Sequence, residues 1–283
     1  MNEQILESIR NDEYNYETTL NSIARHIVEN PVIKLILVAG GSCAGKTTTT
    51  RKLGELIAES GRVAHTVSLD DYYRNLDESV YLPDGTRDIE SINSLRVDMI
   101  KETFRGLLSG EETPIPMFDF KTAARTDAYR TIKLNEGDVV LIEGLHALNL
   151  SLFEDAPDES AIYKIYLFAD AGDDADCRFV RRMVRDSRHR NATALHTYNL
   201  WSNVKKSELE SIEPFRDTAN VAINTFFNYE RGILNDDGIA LLETVPKDCC
   251  HYENAQRLIE ILKPFPQITD DYIPENSLLR EFI

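Results

Sequence analysis

At 283 residues, the chain is long enough to bury a large core in one or two domains. Its formal net charge of −17 at pH 7 argues against a nucleic-acid polymer as partner, because phosphate backbones require a basic face. The sequence has no apolar run long enough to span a bilayer, and its N-terminus is acidic and polar, so neither a membrane span nor a secretory signal is predicted. The four cysteines show no C-x-x-C spacing, which favours free thiols in a reducing cytoplasm.

In chain order, a polar helical lead-in over residues 1–30 is followed by strands and helices that alternate. Strands are predicted at 32–39, 63–69, 139–142, 162–168, 221–223 and 239–242, and helices at 47–60, 94–108, 176–188, 198–209 and 252–262. This alternation predicts an α/β fold with a mostly parallel sheet covered by helices on both faces. Residues 264–283 contain three prolines and are predicted to form an irregular arm that packs by its apolar residues.

The segment from Gly40 to Thr47 matches the phosphate-binding template G-x-x-x-x-G-K-[ST]. An apolar, β-branched strand precedes it and a helical pattern follows it. In that context the loop N–H groups and the helix N-terminus face a polyphosphate, Lys46 reaches the β- and γ-phosphates, and the Thr47 hydroxyl can bind Mg²⁺. The alternative, a glycine turn with a chance lysine, is disfavoured by both flanks. The sequence therefore predicts a nucleoside triphosphate site.

Acidic residues end two further predicted strands. Asp70 follows the strand 63–69 and can accept a substrate hydroxyl proton or hold Mg²⁺, whereas a polar turn would be the default for isolated aspartates. Glu143 ends the strand 139–142 and can bind Mg²⁺ directly or through water, although a strand end with a random acid is common. His146, close behind Glu143, suits a structural or substrate-contacting role better than that of a general base.

Six arginines are concentrated between residues 178 and 190 of an otherwise acidic chain. Guanidinium groups bind phosphoryl oxygens and can neutralise charge that develops during phosphoryl transfer. On a helix, four of them share one face: Arg178, Arg181, Arg182 and Arg185. The alternative is a solvated basic helix that pairs with the acids at 173, 174 and 176. Beside a triphosphate site, an arginine lid is the better interpretation.

Together these motifs resemble the uridine kinase/phosphoribulokinase family in order and spacing over about residues 35–224. The resemblance depends on the phosphate loop, on 68–73 (SLDDYY), on 116–120 (PMFDF), on 143–146 (EGLH) and on the arginines of 181–185. Within the family, the chain is most similar to the kinase domain that some bacteria fuse behind threonyl-tRNA-synthetase-like modules. This closer resemblance depends on 118–122 (FDFKT), 142–149 (IEGLHALN) and 279–283 (LREFI). Because residues 1–30 are too short to hold those modules, the kinase is predicted to stand alone.

The resemblance implies a P-loop NTPase fold, with a five-stranded parallel core in a kinase domain at 31–263 and an arginine-rich lid at about 173–200. It implies ATP and Mg²⁺, and it gives Asp70 the position of the catalytic base, assisted by Lys46, Arg182 and Arg185. The implied nucleotide-binding residues are Gly40, Gly41, Ser42, Cys43, Ala44, Gly45, Lys46, Thr47, Thr48, Arg181 and Arg190. The implied metal ligands are Thr47, Asp70 and Glu143, and the implied acceptor-binding residues are Asp70, Tyr72, Glu90, Phe118, Arg125 and His146. Homo-oligomers are common in the family.

The chain departs from the family pattern where uridine kinases meet the pyrimidine base. Phe118 replaces a tyrosine, the histidine of a following His-Ser-Arg is replaced around residues 123–125, and the lid ends in Arg190-Asn191-Ala192 instead of Arg-Gly-Arg. The predicted function is transfer of the γ-phosphoryl of ATP to the 5′-hydroxyl of a nucleoside. One alternative keeps the fold but takes another small alcohol or a sugar phosphate. The other is an ATP-binding sensor or scaffold, which would not need a base.

Overall fold

A computed structural model of the protein describes residues 3–82, 85–120, 122–153, 157–172 and 176–283. Its main sheet has five strands: β1 (Leu35–Gly40), β2 (Ala64–Ser68), β5 (Val139–Glu143), β6 (Ile162–Phe168) and β7 (Val221–Asn224). All five are parallel, and their order across the sheet is β2-β5-β1-β6-β7. The predicted α/β fold with a five-stranded parallel core is confirmed.

The central strands are apolar throughout because both faces of the sheet are covered. Every residue of β1 and β5 is buried. Leu35 and Leu37 point into one hydrophobic cluster, whereas Ile36 and Val38 point into the cluster on the opposite face. This alternation follows from the two-residue period of a strand, and a continuous apolar run is the expected result in a doubly covered parallel sheet.

Helices lie on both faces of the sheet. They are α1 (Glu3–Glu29), α2 (Lys46–Glu59), α3 (Val97–Leu108), α4 (Cys177–Arg190), α5 (Ala194–Ser211), α6 (Glu230–Ile233), α7 (Asn235–Glu243) and α8 (Tyr252–Leu262). Apolar residues of α1, α2, α4 and α8 share the cluster that contains Ile36, and those of α3 share the cluster that contains Leu35. None of the helices in the described ranges is long and apolar enough to cross a membrane.

The helix predicted over residues 1–30 is observed as α1, with residues 1–2 outside the described ranges. This helix buries more apolar residues in the core than the expected polar lead-in would. Leu20 and Ile27 are fully buried, and the hydroxyl groups of Tyr16 and Thr49 lie 2.7 Å apart, which joins α1 to α2. The helix therefore forms part of the layer behind the phosphate loop.

One predicted strand is wrong. Residues 239–242 lie in α7, where Gly238 and Leu242 are buried. A Cβ on Gly238 would lie 3.1 Å from Leu262 and 3.4 Å from Val180, so the glycine lets α7 approach α8 and α4 closely. A four-residue apolar run does not distinguish a strand from one buried face of a helix, and here packing against two helices selects the helix.

The sequence interpretation missed an antiparallel hairpin formed by β3 (Thr113–Asp119) and β4 (Ala124–Ile132). Two prolines in β3 and the mostly polar, exposed residues of β4 concealed it. Proline is tolerated because this two-stranded sheet consists of edge strands only. The hairpin stands beside the end of β2 and supplies one wall of the cavity described below.

The C-terminal arm, residues 264–283, is irregular and packs by its apolar residues, as predicted. Leu278, Leu279 and Phe282 are buried, and single 3₁₀ turns cover Asp270–Tyr272 and Leu278–Glu281. The arm ends against the start of α2. This placement brings its last residues to the phosphate loop.

Candidate active site

The phosphate loop, residues 40–47, joins the end of β1 to the start of α2. Gly40 passes so close to β6 that a Cβ there would lie 2.2 Å from the Leu167 carbonyl oxygen. Gly45 adopts the left-handed conformation with φ 79°, and a Cβ there would lie 2.5 Å from Leu278. Both positions therefore require glycine. The result is a tight turn that presents backbone N–H groups and the N-terminus of α2 to one cavity.

Lys46 and Thr47 open α2 and face that cavity. The Lys46 Nζ donates to the Gly41 carbonyl oxygen at 3.0 Å, so the ammonium group lies across the loop. The Thr47 hydroxyl donates to Glu143 Oε1 at 3.4 Å, and the Ser68 hydroxyl donates to the same oxygen at 2.5 Å. The loop, the end of β2 and the end of β5 thus converge, as parallel strands predict.

Asp70 and Glu143 both line this active-site cavity, which has a volume of about 200 Å³. Burial raises the pKa of Glu143, and the charge of Asp70 raises it further. Burial also raises the pKa of Asp70, against the opposing effects of Lys46, Arg190 and Arg185. Two desolvated carboxylates in one small cavity bind protons or cations more readily than exposed carboxylates do. The cavity therefore suits a cation or a proton acceptor.

Three of the predicted arginines face the same cavity: Arg182, Arg185 and Arg190. Arg182 Nη1 donates to the Ser42 hydroxyl and to Glu90 Oε1, each at 3.1 Å. The Arg190 guanidinium lies 5.5 Å from the centre of the Phe120 ring. The predicted lid segment begins at residues 173–175, which lie outside the described residues.

Arg178 and Arg181 lie behind the phosphate loop instead of facing the cavity. Arg178 forms a two-bond ion pair with Glu208 at 2.6 and 2.9 Å, and it also donates to the Ser42 carbonyl oxygen at 3.1 Å. Glu208 in turn accepts from the Ser42 N–H at 2.9 Å. The pair therefore holds the loop from its outer side.

Arg181 differs from its predicted role as a nucleotide contact. Its side chain is fully buried, as is that of Glu230, with which it forms an ion pair at 2.5 Å. It also donates to the Cys43 carbonyl oxygen at 3.1 Å and to the Thr225 carbonyl oxygen at 2.6 Å. The arginines predicted to share one helical face therefore divide: Arg182 and Arg185 face the cavity, whereas Arg181 is turned towards Thr225 and supports the loop through the Cys43 carbonyl group.

The acceptor-binding residues divide into two groups. Glu90 and Phe118 line the cavity, and their binding of an acceptor stays a prediction. Tyr72 does not, because it is fully buried in the core, and the neighbouring Tyr73 lines the cavity instead. The 3₁₀ turn Leu69–Tyr72 explains the exchange, since successive residues of such a turn point in different directions.

Arg125 and His146 are absent from the residues that line the described cavity. The Arg125 Nη1 lies 2.8 Å from the Met99 sulfur. His146 is buried, and its Nε2 lies 2.9 Å from the Glu90 carbonyl oxygen, which can only accept, so Nε2 carries the proton. Burial lowers the pKa of His146 and favours the neutral ring. The histidine therefore supports the backbone of Glu90.

Glu90 is held in a defined position by this support. Its carboxylate is buried and paired with Arg182, and burial raises its pKa against the opposing effect of that arginine. The Ser207 hydroxyl donates to its carbonyl oxygen at 3.1 Å. A buried, oriented carboxylate is suited to accept hydrogen bonds from ligand hydroxyl groups.

Several cavity residues were not predicted, among them Tyr73, Arg87, Phe120 and Glu281. Phe120 directly follows β3, and it could have been found from Phe118 by extending the two-residue alternation of the strand by one position. The rings of Tyr73, Phe118 and Phe120 pack edge to face or tilted, with centres 5.1–5.9 Å apart. We refer to these three residues as the aromatic wall. Glu281 lies in 279–283 (LREFI), which carries the closer family resemblance, but its place in the cavity depends on how the C-terminal arm folds back.

Comparison with known proteins places these features in a family. Residues 35–228 match the model of the Phosphoribulokinase / Uridine kinase family. The chain belongs to this family.

Its relatives are kinases. The chain is 28% identical to a uridine kinase of Staphylococcus haemolyticus over 190 residues, which cover 67% of this chain and 86% of that protein. It is 28% identical to uridine-cytidine kinase 2-B of Danio rerio over 228 residues, which cover 74% and 83%. A solved structure of a possible uridine kinase from Bacillus stearothermophilus is 19% identical and covers 68% of this chain and 89% of that chain, with a TM-score of 0.47. The family match and the two related kinases show that the protein is a P-loop kinase.

Membership of the phosphoribulokinase/uridine kinase family implies ATP and a divalent metal ion, and the residues present fit both. The turn through Gly40 and Gly45 presents backbone N–H groups and the N-terminus of α2 to the cavity, where phosphate oxygens would bind. Hard oxygen donors are present in Thr47, Asp70 and Glu143. Within the described ranges no cluster of three or more His, Cys, Asp or Glu side chains could hold a metal alone. The hydroxyl and the two carboxylates beside the phosphate loop suit Mg²⁺, which typically binds one or two carboxylates together with substrate phosphates.

Proposed function

We propose that the protein transfers the γ-phosphoryl group of ATP to the 5′-hydroxyl of a nucleoside. The observation that carries the proposal is the convergence of Asp70, Lys46 and three arginines on one cavity that also contains Glu90 and the aromatic wall. A nucleotide-binding protein without transferase activity needs the phosphate loop but no carboxylate opposite it. The names of the related uridine and uridine-cytidine kinases support a nucleoside as the acceptor.

In the proposed mechanism Asp70 accepts the proton of the acceptor hydroxyl. The oxygen of that hydroxyl forms a bond to the γ-phosphorus, and the bond between the γ-phosphorus and the bridging oxygen breaks, so that ADP leaves. Lys46, Arg182, Arg185 and Arg190 supply positive charge where the phosphoryl oxygens pass. Positioning and electrostatic stabilisation account for most catalysis of this type. Mg²⁺, held through Thr47 and Glu143, would neutralise charge on the β- and γ-phosphates.

The acceptor would lie between Glu90 and the aromatic wall. Glu90 is placed to accept hydrogen bonds from ribose hydroxyls, and the rings of Phe118 and Phe120 offer apolar surface to a base. Arg87 lines the same region and favours, as a second candidate, an acceptor with an anionic group such as a sugar phosphate. The closer similarity to kinase domains fused to threonyl-tRNA-synthetase-like modules and the homo-oligomeric state stay predictions.

A panel of acceptors with radiolabelled ATP tests the proposal. We expect label in the 5′-monophosphate of at least one ribonucleoside and none in its 5′-deoxy analogue, which keeps the base and the other hydroxyls but lacks the attacking oxygen. Label that enters only sugar phosphates or simple alcohols would select the second candidate. ATP binding without transfer to any acceptor would identify a sensor or scaffold.

A further inference from the structure

The C-terminal arm contributes a carboxylate to the active-site cavity. Glu281 lines the cavity together with Lys46 and Thr47, and its Oε2 accepts a hydrogen bond from the Thr48 hydroxyl at 2.6 Å. Thr48 was predicted to bind the nucleotide, but in this structure its hydroxyl donates a hydrogen bond to the Glu281 carboxylate. The mechanism above makes no use of Glu281.

This carboxylate lies where the fold favours an anion. Thr48 is the third residue of α2, whose N-terminus carries partial positive charge and unpaired N–H groups. The same helix end is the part of the phosphate loop that receives nucleotide phosphates. Glu281 and the phosphate chain are therefore attracted to adjacent positions, and they repel each other when both are present.

The backbone on both sides of Glu281 is fixed. Leu278 packs against Gly45, and Phe282 is fully buried, with its ring centre 4.9 Å from the Arg181 guanidinium. Arg280 donates to the Asp270 and Ile273 carbonyl oxygens at 2.8 and 2.6 Å. Because the backbone is anchored, the Glu281 carboxylate stays in the cavity. A bound nucleotide is therefore repelled by this carboxylate and does not displace the arm.

The charge of Glu281 acts on other groups of the cavity. It adds to the effects of burial and of Asp70 in raising the pKa of Glu143, and it contributes to raising the pKa of Arg185. The carboxylate is thus within electrostatic reach of the metal-side acid and of a lid arginine. Arg185 is a cation with which it could pair when a phosphate takes its place at Thr48.

We propose that Glu281 determines the nucleotide affinity of this kinase by competing with phosphate oxygens at Thr48, with a penalty that grows with the charge of the phosphate chain. The inference rests on the nucleotide-binding part of the proposed function. It makes the C-terminal arm a part of the nucleotide site and Glu281 a residue that favours nucleotides of lower charge.

The test is a set of dissociation constants for ATP, ADP, AMP and adenosine, measured by isothermal titration calorimetry with EDTA present so that bound metal does not contribute. Replacement by Gln (E281Q) keeps the size of the side chain and removes its charge. We expect E281Q to bind ATP on the order of tenfold more tightly than the wild type, ADP and AMP progressively less so, and adenosine equally, because the repulsion scales with ligand charge. High salt should reduce the gain.

The matched control is E275Q, because Glu275 is an exposed carboxylate of the same arm and is absent from the residues that line the cavity. It should leave all four constants unchanged. If E281Q fails to fold, E281A carries the same expectation. Unchanged or weaker ATP binding in a folded Glu281 variant would overturn the inference. Absence of nucleotide binding in the wild type would instead overturn the proposed function.

Discussion

Replacing Asp70 by Asn should lower kcat by about 10²–10⁴-fold, the usual contribution of a general base, while the dissociation constant for ATP stays close to that of the wild type. The amide of the D70N variant would keep the shape of the side chain and could still accept a hydrogen bond from the acceptor hydroxyl, but it could not accept its proton. The measurement is steady-state kinetics with the best acceptor of the panel, together with calorimetric titration of ATP.

The adjacent aspartate provides the control. Asp71 Oδ1 accepts the Phe118 N–H at 3.2 Å, and Asp71 is absent from the residues that line the cavity. The amide oxygen of the D71N variant can still accept that bond, so D71N should keep most of the turnover. Wild-type turnover in D70N, or an equal loss in both variants, would remove Asp70 from the chemical step.

The pH profile of the wild type gives a second check on the same residue. Burial raises the pKa of Asp70, and a base must be deprotonated to act, so activity is lost as the pH falls through that raised pKa. The acid limb of kcat/KM should therefore have its midpoint above the value of about 3.9 that an exposed aspartate shows. In D70N the part of this limb that Asp70 contributes should be absent, and any acid limb that remains would report protonation of Glu143, whose pKa is also raised by burial.

Replacing Arg181 by Met should have the largest effect on stability, a loss of about 3–5 kcal/mol, because Glu230 would be left buried and without its partner. Both side chains of this pair are fully buried. Thermal unfolding followed by circular dichroism should show a midpoint lower by on the order of 10 °C. Nucleotide binding should weaken as well, since Arg181 holds the loop through the Cys43 carbonyl oxygen.

Two further variants test whether the loss of stability comes from the unpaired buried charge of Glu230 or from the removal of any arginine on this helix. The double variant R181M/E230Q removes both charges and should recover much of the lost stability. R188M breaks an exposed ion pair between Arg188 of α4 and Asp237 of α7 and should cost at most about 1 kcal/mol. A normal unfolding midpoint in R181M combined with lost ATP binding would contradict the supporting role and restore the nucleotide contact expected from the sequence.

The parts of the molecule that local chemistry specifies could be predicted from the sequence. The phosphate loop is defined by glycines that no other residue can replace, and the ends of parallel strands must meet at one edge of the sheet. The proximity of Asp70 and Glu143 to Lys46 could therefore be predicted from the sequence alone. Periodicity also placed the arginines on a helix beside the site, of which Arg182 and Arg185 face the cavity.

The remaining features depend on long-range packing. Tyr72 and Tyr73 are adjacent residues with the same side chain, and the 3₁₀ turn Leu69–Tyr72 determines which of the two rings reaches the cavity. Arg181 is turned away from the cavity by Glu230, which lies 49 residues further along the chain. Glu281 reaches Thr48 across 233 residues because the arm folds back. Patterns over a few residues carry no information about such partners.

A crystal structure with Mg²⁺ and a non-hydrolysable ATP analogue tests the central claim most directly. We expect the terminal phosphate to lie within hydrogen-bonding distance of Lys46 Nζ, with Arg182, Arg185 and Arg190 around its oxygens and the Asp70 carboxylate on the side away from the β-phosphate. A terminal phosphate bound elsewhere, or an Asp70 that points into bulk solvent when the analogue is bound, would contradict the account.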